Sequence, residues 1–155
     1  MAFGAFDLLH PGHKSFIKQA KRYGDYLIVI IARDSTVLKV KGKLPKHSEK
    51  QRLGAVKGLK LASKAIMGSL IDKYAAIKKY KPDIICLGYD QTHFTKQLKP
   101  ELKKLKLKAK IIKLKPFRPD KYKTSILKNK VSLREAPLAP GLTQGTKQSP
   151  VSWTK

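Results

Sequence analysis

Gly4-Ala5-Phe6-Asp7-Leu8-Leu9-His10-Pro11-Gly12-His13 sets two imidazoles three residues apart, behind an apolar start and ahead of a run that reads as a helix. Ala2 to Phe6 reads as a short first strand. Pro11 to Tyr23 reads as a helix with apolar Phe16, Ile17 and Ala20. Pro11 suits the first helical turn, where its missing N–H is not needed, and Gly24 stops the helix. A helix N-terminus offers unpaired N–H groups and a positive dipole end, which together make an anion site. Gly12 lets backbone approach a phosphate with no Cβ in the way. His10 and His13, expected on an exposed ligand face, could hold that phosphate and stabilise negative charge growing on it.

Working outward, helix and strand signals alternate, which argues for an α/β parallel sheet. Asp25 to Ala32 is a near-continuous apolar run, as expected of a central strand buried on both faces. Arg33 to His47 reads as a polar loop rich in Lys and Gly. Ser48 is a good N-cap for a helix running to about Leu59. Lys64 to Gly68 reads as a third strand, Asp72 to Tyr80 as a helix ended before Pro82, and Asp83 to Gly88 as a fourth strand. Thr95 to about Leu105 reads as a helix despite Pro100. Lys108 to Leu114 alternates Lys with apolar residues, like an edge strand, and Thr124 to about Lys130 reads as a short final helix. In open sheets of this kind ligands sit beyond the C-terminal strand ends, where His10 to His13 fall after the first strand.

The chain of 155 residues is long enough for one domain with a hydrophobic core. No run of about 18 apolar residues suggests a membrane span, and no basic segment followed by an apolar one suggests a secretory signal. The single cysteine, Cys86, lies in the apolar run of the fourth strand and is expected to be a core thiol. These features fit a cytoplasmic protein. The net charge of +25 attracts polyanions. The lysines are spread along the helices and through Lys99 to Lys115, with few aromatics among them, which is the pattern of a solvated surface more than of a single-strand binding groove. His47 and His93 show no partners at metal-ligand spacing, so no metal site is expected on the protein itself. The tail from Val131 to Lys155 turns rich in Pro, Gly, Ser, Thr and Gln, carries only +2, and reads as disordered, with Trp153 an incidental aromatic.

Phe6-Asp7-x-x-His10-Pro11-Gly12-His13 resembles the cytidylyltransferase-like branch of the nucleotidyl transferases. Further matches follow in order: Ala32-Arg33-Asp34, Lys41-Gly42-x-x-Pro45, Gln51-Arg52, Gly88-Tyr89-Asp90-Gln91 and Lys123-Thr124-Ser125-x-Leu127. The resemblance covers roughly residues 2 to 130. Within the branch the chain is most similar to the archaeal FAD synthases, and the glycerol-3-phosphate cytidylyltransferases share most of these motifs. The resemblance implies that His10 and His13 contact nucleotide phosphates and strengthen their grip as the α-phosphate becomes five-coordinate. It implies phosphate or nucleotide contacts from Ala5, Phe6, Pro11, Gly12, Lys41 (with Lys39), Asp90, Thr124 and Ser125, and places Tyr122 near the base. Arg52 reads equally as a phosphate ligand or an ordinary basic helix residue. Ala5 departs from the family, which has Thr or Ser there; the Phe6 backbone N–H could still bind phosphate.

The expected fold is therefore one Rossmann-like α/β domain over residues 1–130, a parallel five-stranded sheet flanked by helices, with a loose tail over 131–155. The resemblance implies ATP and FMN as substrates, FAD and diphosphate as products, and Mg²⁺ accompanying the nucleotide. A cytoplasmic enzyme, with a homodimer as a family habit, completes the expectation. Two alternatives stay open at this point: CTP with glycerol-3-phosphate or another phosphorylated alcohol, and a basic nucleic-acid-binding protein with a vestigial nucleotide site.

Overall fold

The computed structural model describes residues 1–92, 96–123 and 125–129. Five strands form one all-parallel sheet: β1 (Ala2–Gly4), β2 (Ile28–Ile31), β3 (Lys64–Met67), β4 (Ile84–Leu87) and β5 (Lys110–Lys113). Their order is β3-β2-β1-β4-β5. Between them run α1 (Pro11–Lys21), α2 (Asp34–Lys41), α3 (Glu49–Gly58), α4 (Ala75–Tyr80) and α5 (Leu98–Lys104). Strand side chains alternate between faces, so the unbroken apolar run of β2 feeds two core layers at once. Val29 and Ile31 pack with Ile17 and Ala20 of α1 and Val56 of α3, while Ile28 and Ile30 join Ile77 of α4 and Leu98 and Leu102 of α5. Cys86 is buried, as expected, on the α1/α3 side. Among the described residues, no helix is long and apolar enough to cross a membrane.

The strand order reverses between β1 and β4, which opens a crevice at their C-terminal ends, the usual ligand position of such sheets. The ladder there is thin, Ala2 pairing with Cys86. The Gln91 side chain reinforces it, donating to the Phe3 carbonyl at 2.7 Å and accepting from the Gly88 N–H at 3.2 Å.

Several boundaries differ from the sequence expectation. β1 stops at Gly4, because Phe6 and Leu8 take positive φ (53° and 48°) and leave extended backbone. Pro100 sits in the first turn of α5, where a missing N–H is harmless. The expected loop from Arg33 to His47 contains helix α2. Val37 inserts into the interior, and Gly42, in left-handed backbone (φ 69°), closes the helix with its N–H on the Leu38 carbonyl. The tail from 131 to 155, His93 and Thr124 lie outside the described residues.

The start of α2 is held by the start of α3. Ser48 and Gln51 form a capping box there. The Glu49 carboxylate accepts from the Asp34 N–H at 3.0 Å, and Asp34 Oδ2 accepts from the Glu49 N–H at 3.2 Å. Arg33 bonds Glu49 Oε1 at 2.6 Å and the Gly68 carbonyl at 2.7 Å, so the ends of β2 and β3 are tied together. Arg52 completes the network from inside. Only 1% exposed, its guanidinium donates to the carbonyls of His47 (3.1 Å), Ala32 (2.7 Å) and Ala5, and to Asp34 Oδ1 at 2.7 Å. Neither sequence reading of Arg52 survives, because every direction of its fork is committed to the protein. Arg52→Ala should cost about 3–5 kcal/mol in urea unfolding, since it strands a buried carboxylate and three carbonyls. Arg52→Lys should recover only part of the loss, because an ammonium lacks the planar fork.

Candidate functional site

The loop from Ala5 to Leu9 leads from β1 into α1 through two non-glycine residues in the left-handed region. Such backbone costs roughly 1–2 kcal/mol per residue and persists where surroundings over-determine it. Here Phe6 is buried with its ring edge on His13 (centroids 5.4 Å apart) and against Phe16 (6.1 Å). Asp7, 3% exposed, is the polar anchor. Its carboxylate accepts the N–H groups of Lys46 (2.9 Å) and His47 (3.1 Å) and meets Lys128 Nζ at 2.9 Å. Burial opposes the charge, but these donors and the ammonium outweigh it and hold the Asp7 pKa at about 2. Sequence reading quoted Asp7 without giving it a role. Its partners come from 39 or more residues away in sequence, so no local signal marked it.

His10 is the N-cap residue of α1, in extended backbone, with Pro11 opening the helix. Its carbonyl accepts the N–H groups of His13 (2.9 Å) and Lys14 (3.2 Å). Among the described residues no side chain caps α1, and no acid lies in its first turn. The positive end of this helix is thus left for an anion. The two imidazoles stack, centroids 3.8 Å apart and planes 23° from parallel. Contrary to expectation they do not stand on an open face: His10 is only 8% exposed and His13 is partly buried. The turn at Arg118 to Tyr122 accounts for this. A Cβ on Gly12 would lie 3.0 Å from the Tyr122 carbonyl and 2.9 Å from the His10 ring, so glycine is what lets that turn close over the pair.

Burial depresses both imidazole pKa values. For His13 the neighbouring His10 and Lys41 add to the effect, against a weaker pull from Asp7, and its pKa falls to about 3. Near neutral pH the two rings are uncharged N–H donors. The Nδ1 atom of His13 is buried with no hydrogen-bond partner among the described residues.

The other predicted residues are distributed around this centre. Ala5 is half-buried, its carbonyl taken by Arg52. Lys41 and Lys39 are exposed near the end of α2, not on a loop, and Lys41 lies near enough to His13 to act on its charge. Pro11 is exposed. Asp90 is exposed beyond β4, on the other side of the crevice. Tyr122 is partly buried above Gly12. Ser125 is exposed at the start of a helical turn over 125–129, and Lys128 in that turn returns to Asp7 and the Leu44 carbonyl.

Two outcomes follow from this geometry. An unfolded His13 takes a proton near pH 6.5 and the folded one only near 3, so the unfolded state binds more protons between those values. Stability should fall as pH drops below about 6.5, by about 1.4 kcal/mol per unit for this ring; Asp7 contributes only lower, below its ordinary value of 3.8. Urea unfolding at about pH 7 and about pH 5 reads the slope, which His13→Gln should reduce. Gly12→Ala should destabilise by about 1–3 kcal/mol through overpacking, seen as a lowered unfolding midpoint.

The chain was compared with known proteins. The family profile described as cytidylyltransferase-like matches residues 1–130. An FAD synthase of Methanosarcina mazei is 50% identical over 115 residues, 74% of each chain. One from Aciduliprofundum boonei is 43% identical over 117 residues, 76% of this chain and 78% of its own. A crystal structure described as the lipopolysaccharide core biosynthesis protein of Thermoplasma volcanium superposes with a TM-score of 0.70 at 40% identity, over 76% of this chain and 95% of that one. The sheet order, the His-Pro-Gly-His turn on α1 and these likenesses agree: the chain belongs to the cytidylyltransferase-like family of nucleotidyltransferases.

Proposed function

We propose that this nucleotidyltransferase is an FMN adenylyltransferase, converting ATP and FMN into FAD and diphosphate. The relatives at 43–50% identity carry the choice of substrates, each being described as an FAD synthase. The observation that carries the chemistry is the uncharged imidazole pair at the uncapped end of α1. An FMN phosphate oxygen attacks the α-phosphorus of ATP in line. The new P–O bond joins the two nucleotides as the bond to the β-phosphate breaks, and diphosphate departs with the electron pair. No protein nucleophile is required; the protein positions the substrates and stabilises charge.

His10 and His13 would donate N–H groups to the α-phosphate region, and the dipole of α1 favours the charge that grows there. Lys41 would draw in the triphosphate, with Lys39, Thr124 and Ser125 as further contacts. Asp90 would face the nucleotide from the end of β4. Backbone N–H groups at Phe6 and Gly12, and the Tyr122 turn, complete the proposed nucleotide site. Magnesium fits this arrangement as a passenger of the nucleotide. Asp90 is an exposed carboxylate at the right edge, and Mg²⁺ commonly takes one or two carboxylates beside substrate phosphates and water. Bound there, it would neutralise triphosphate charge. The high positive charge of the chain favours capture of two anionic substrates, and a cytoplasmic setting is part of the same proposal.

Incubating the protein and Mg²⁺ with each nucleoside triphosphate, with and without FMN, tests the reaction through diphosphate release. FAD formation with ATP alone among the triphosphates is expected. Diphosphate release from CTP with glycerol-3-phosphate, or salt-sensitive RNA binding without turnover, would overturn it. His10→Ala and His13→Ala should each lower turnover about 100- to 1000-fold.

A further inference from the structure

The turn that closes over Gly12 carries an aromatic pair with no place in either core layer. Phe117 is 42% exposed, although it lies on a segment fixed at both ends. Its ring stacks with that of Tyr122, centroids 6.0 Å apart and planes only 14° from parallel. The Arg118 guanidinium lies over the Phe117 ring, 5.9 Å from its centroid. Arg118 itself has left-handed backbone (φ 42°), and its carbonyl accepts the N–H groups of both Lys121 (3.0 Å) and Tyr122 (2.9 Å). The strained turn is therefore held in one shape. Strain kept at such a place accompanies ligand clamps more often than plain connections. The same turn lays the Tyr122 carbonyl against Gly12 and the His10 ring, so the aromatic pair adjoins the proposed phosphate site.

We propose that Phe117, paired with Tyr122 and flanked by Arg118, is a stacking platform for the planar heteroaromatic ring of a substrate whose phosphate lies at His10 and His13. Each substrate of the proposed reaction has such a ring, separated from its phosphate by a ribose or ribityl spacer. A half-exposed aromatic ring next to an anion site provides an apolar face for one end and N–H donors for the other. A guanidinium beside it adds a cation that stacks on planar rings. The identity of the two rings, adenine and isoalloxazine, rests on the reaction proposed above; the platform itself is read from binding, so the two can fail separately.

Phe117→Ala and Phe117→Trp in the full chain test this. Calorimetry measures ATP binding, and quenching of flavin fluorescence measures FMN binding, neither of which needs turnover. Phe117→Ala should weaken one ligand roughly 5- to 100-fold, the usual loss for a base–aromatic stack, and Phe117→Trp should restore it. Loss confined to ATP assigns the platform to adenine, and loss confined to FMN assigns it to isoalloxazine. Affinities within about twofold of wild type for both ligands in Phe117→Ala would overturn the proposal. So would an equal loss for both that Trp fails to restore, because that reports a collapsed turn. If wild type makes no FAD yet Phe117→Ala still loses ATP selectively, the platform stands and the choice of FMN falls.

Discussion

A guanidinium sealed inside the protein at the C-terminal edge of the sheet is the constraint on which the rest depends. Arg52 reaches the last turns of β1 and β2 through the Ala5 and Ala32 carbonyls, the loop before α3 through His47, and the start of α2 through Asp34. A buried charge tolerates few arrangements, since each unsatisfied donor or acceptor is expensive. By fixing those four points, Arg52 fixes where β1 releases the chain. The left-handed loop, the buried Phe6 and the imidazole pair all take their positions from that exit point.

The active-site region is then built from conflicting local demands. Phe6 and Leu8 accept unfavourable backbone angles. The imidazoles give up their charge to stack on one another near Lys41 and a helix N-terminus. Asp7 keeps its charge in the interior by collecting two N–H groups and an ammonium. Uncharged imidazoles beside an uncapped dipole form a site that donates hydrogen bonds to an incoming phosphate without first holding a counter-anion. That suits an enzyme whose task is to stabilise charge developing in a pentacoordinate transition state.

Much of this was readable residue by residue. The apolar β2 run announced a strand buried on both faces, and alternate residues of Ile28–Ile31 do feed opposite layers. Pro11 and Ser48 marked helix starts correctly. The helix over Asp34–Lys41 was hidden because its sequence is rich in Lys and places a single residue, Val37, in the interior. Its stability comes from reciprocal bonds with Glu49, fifteen residues later in the chain, which no local pattern records.

The sequence alone determined the periodicities, the order of elements and the presence of two imidazoles at the mouth of a helix, because those are properties of neighbouring residues. Tertiary structure decided what each polar group does. Arg52, which could have faced a phosphate, faces four oxygens of its own chain; Asp7 became an anchor; Phe117 was left at the surface beside His10's cover. Charge state and exposure follow from what lies within a few ångströms in space, and here those neighbours come from distant parts of the chain. A linear pattern can name the participants, while desolvation and partner geometry assign their roles.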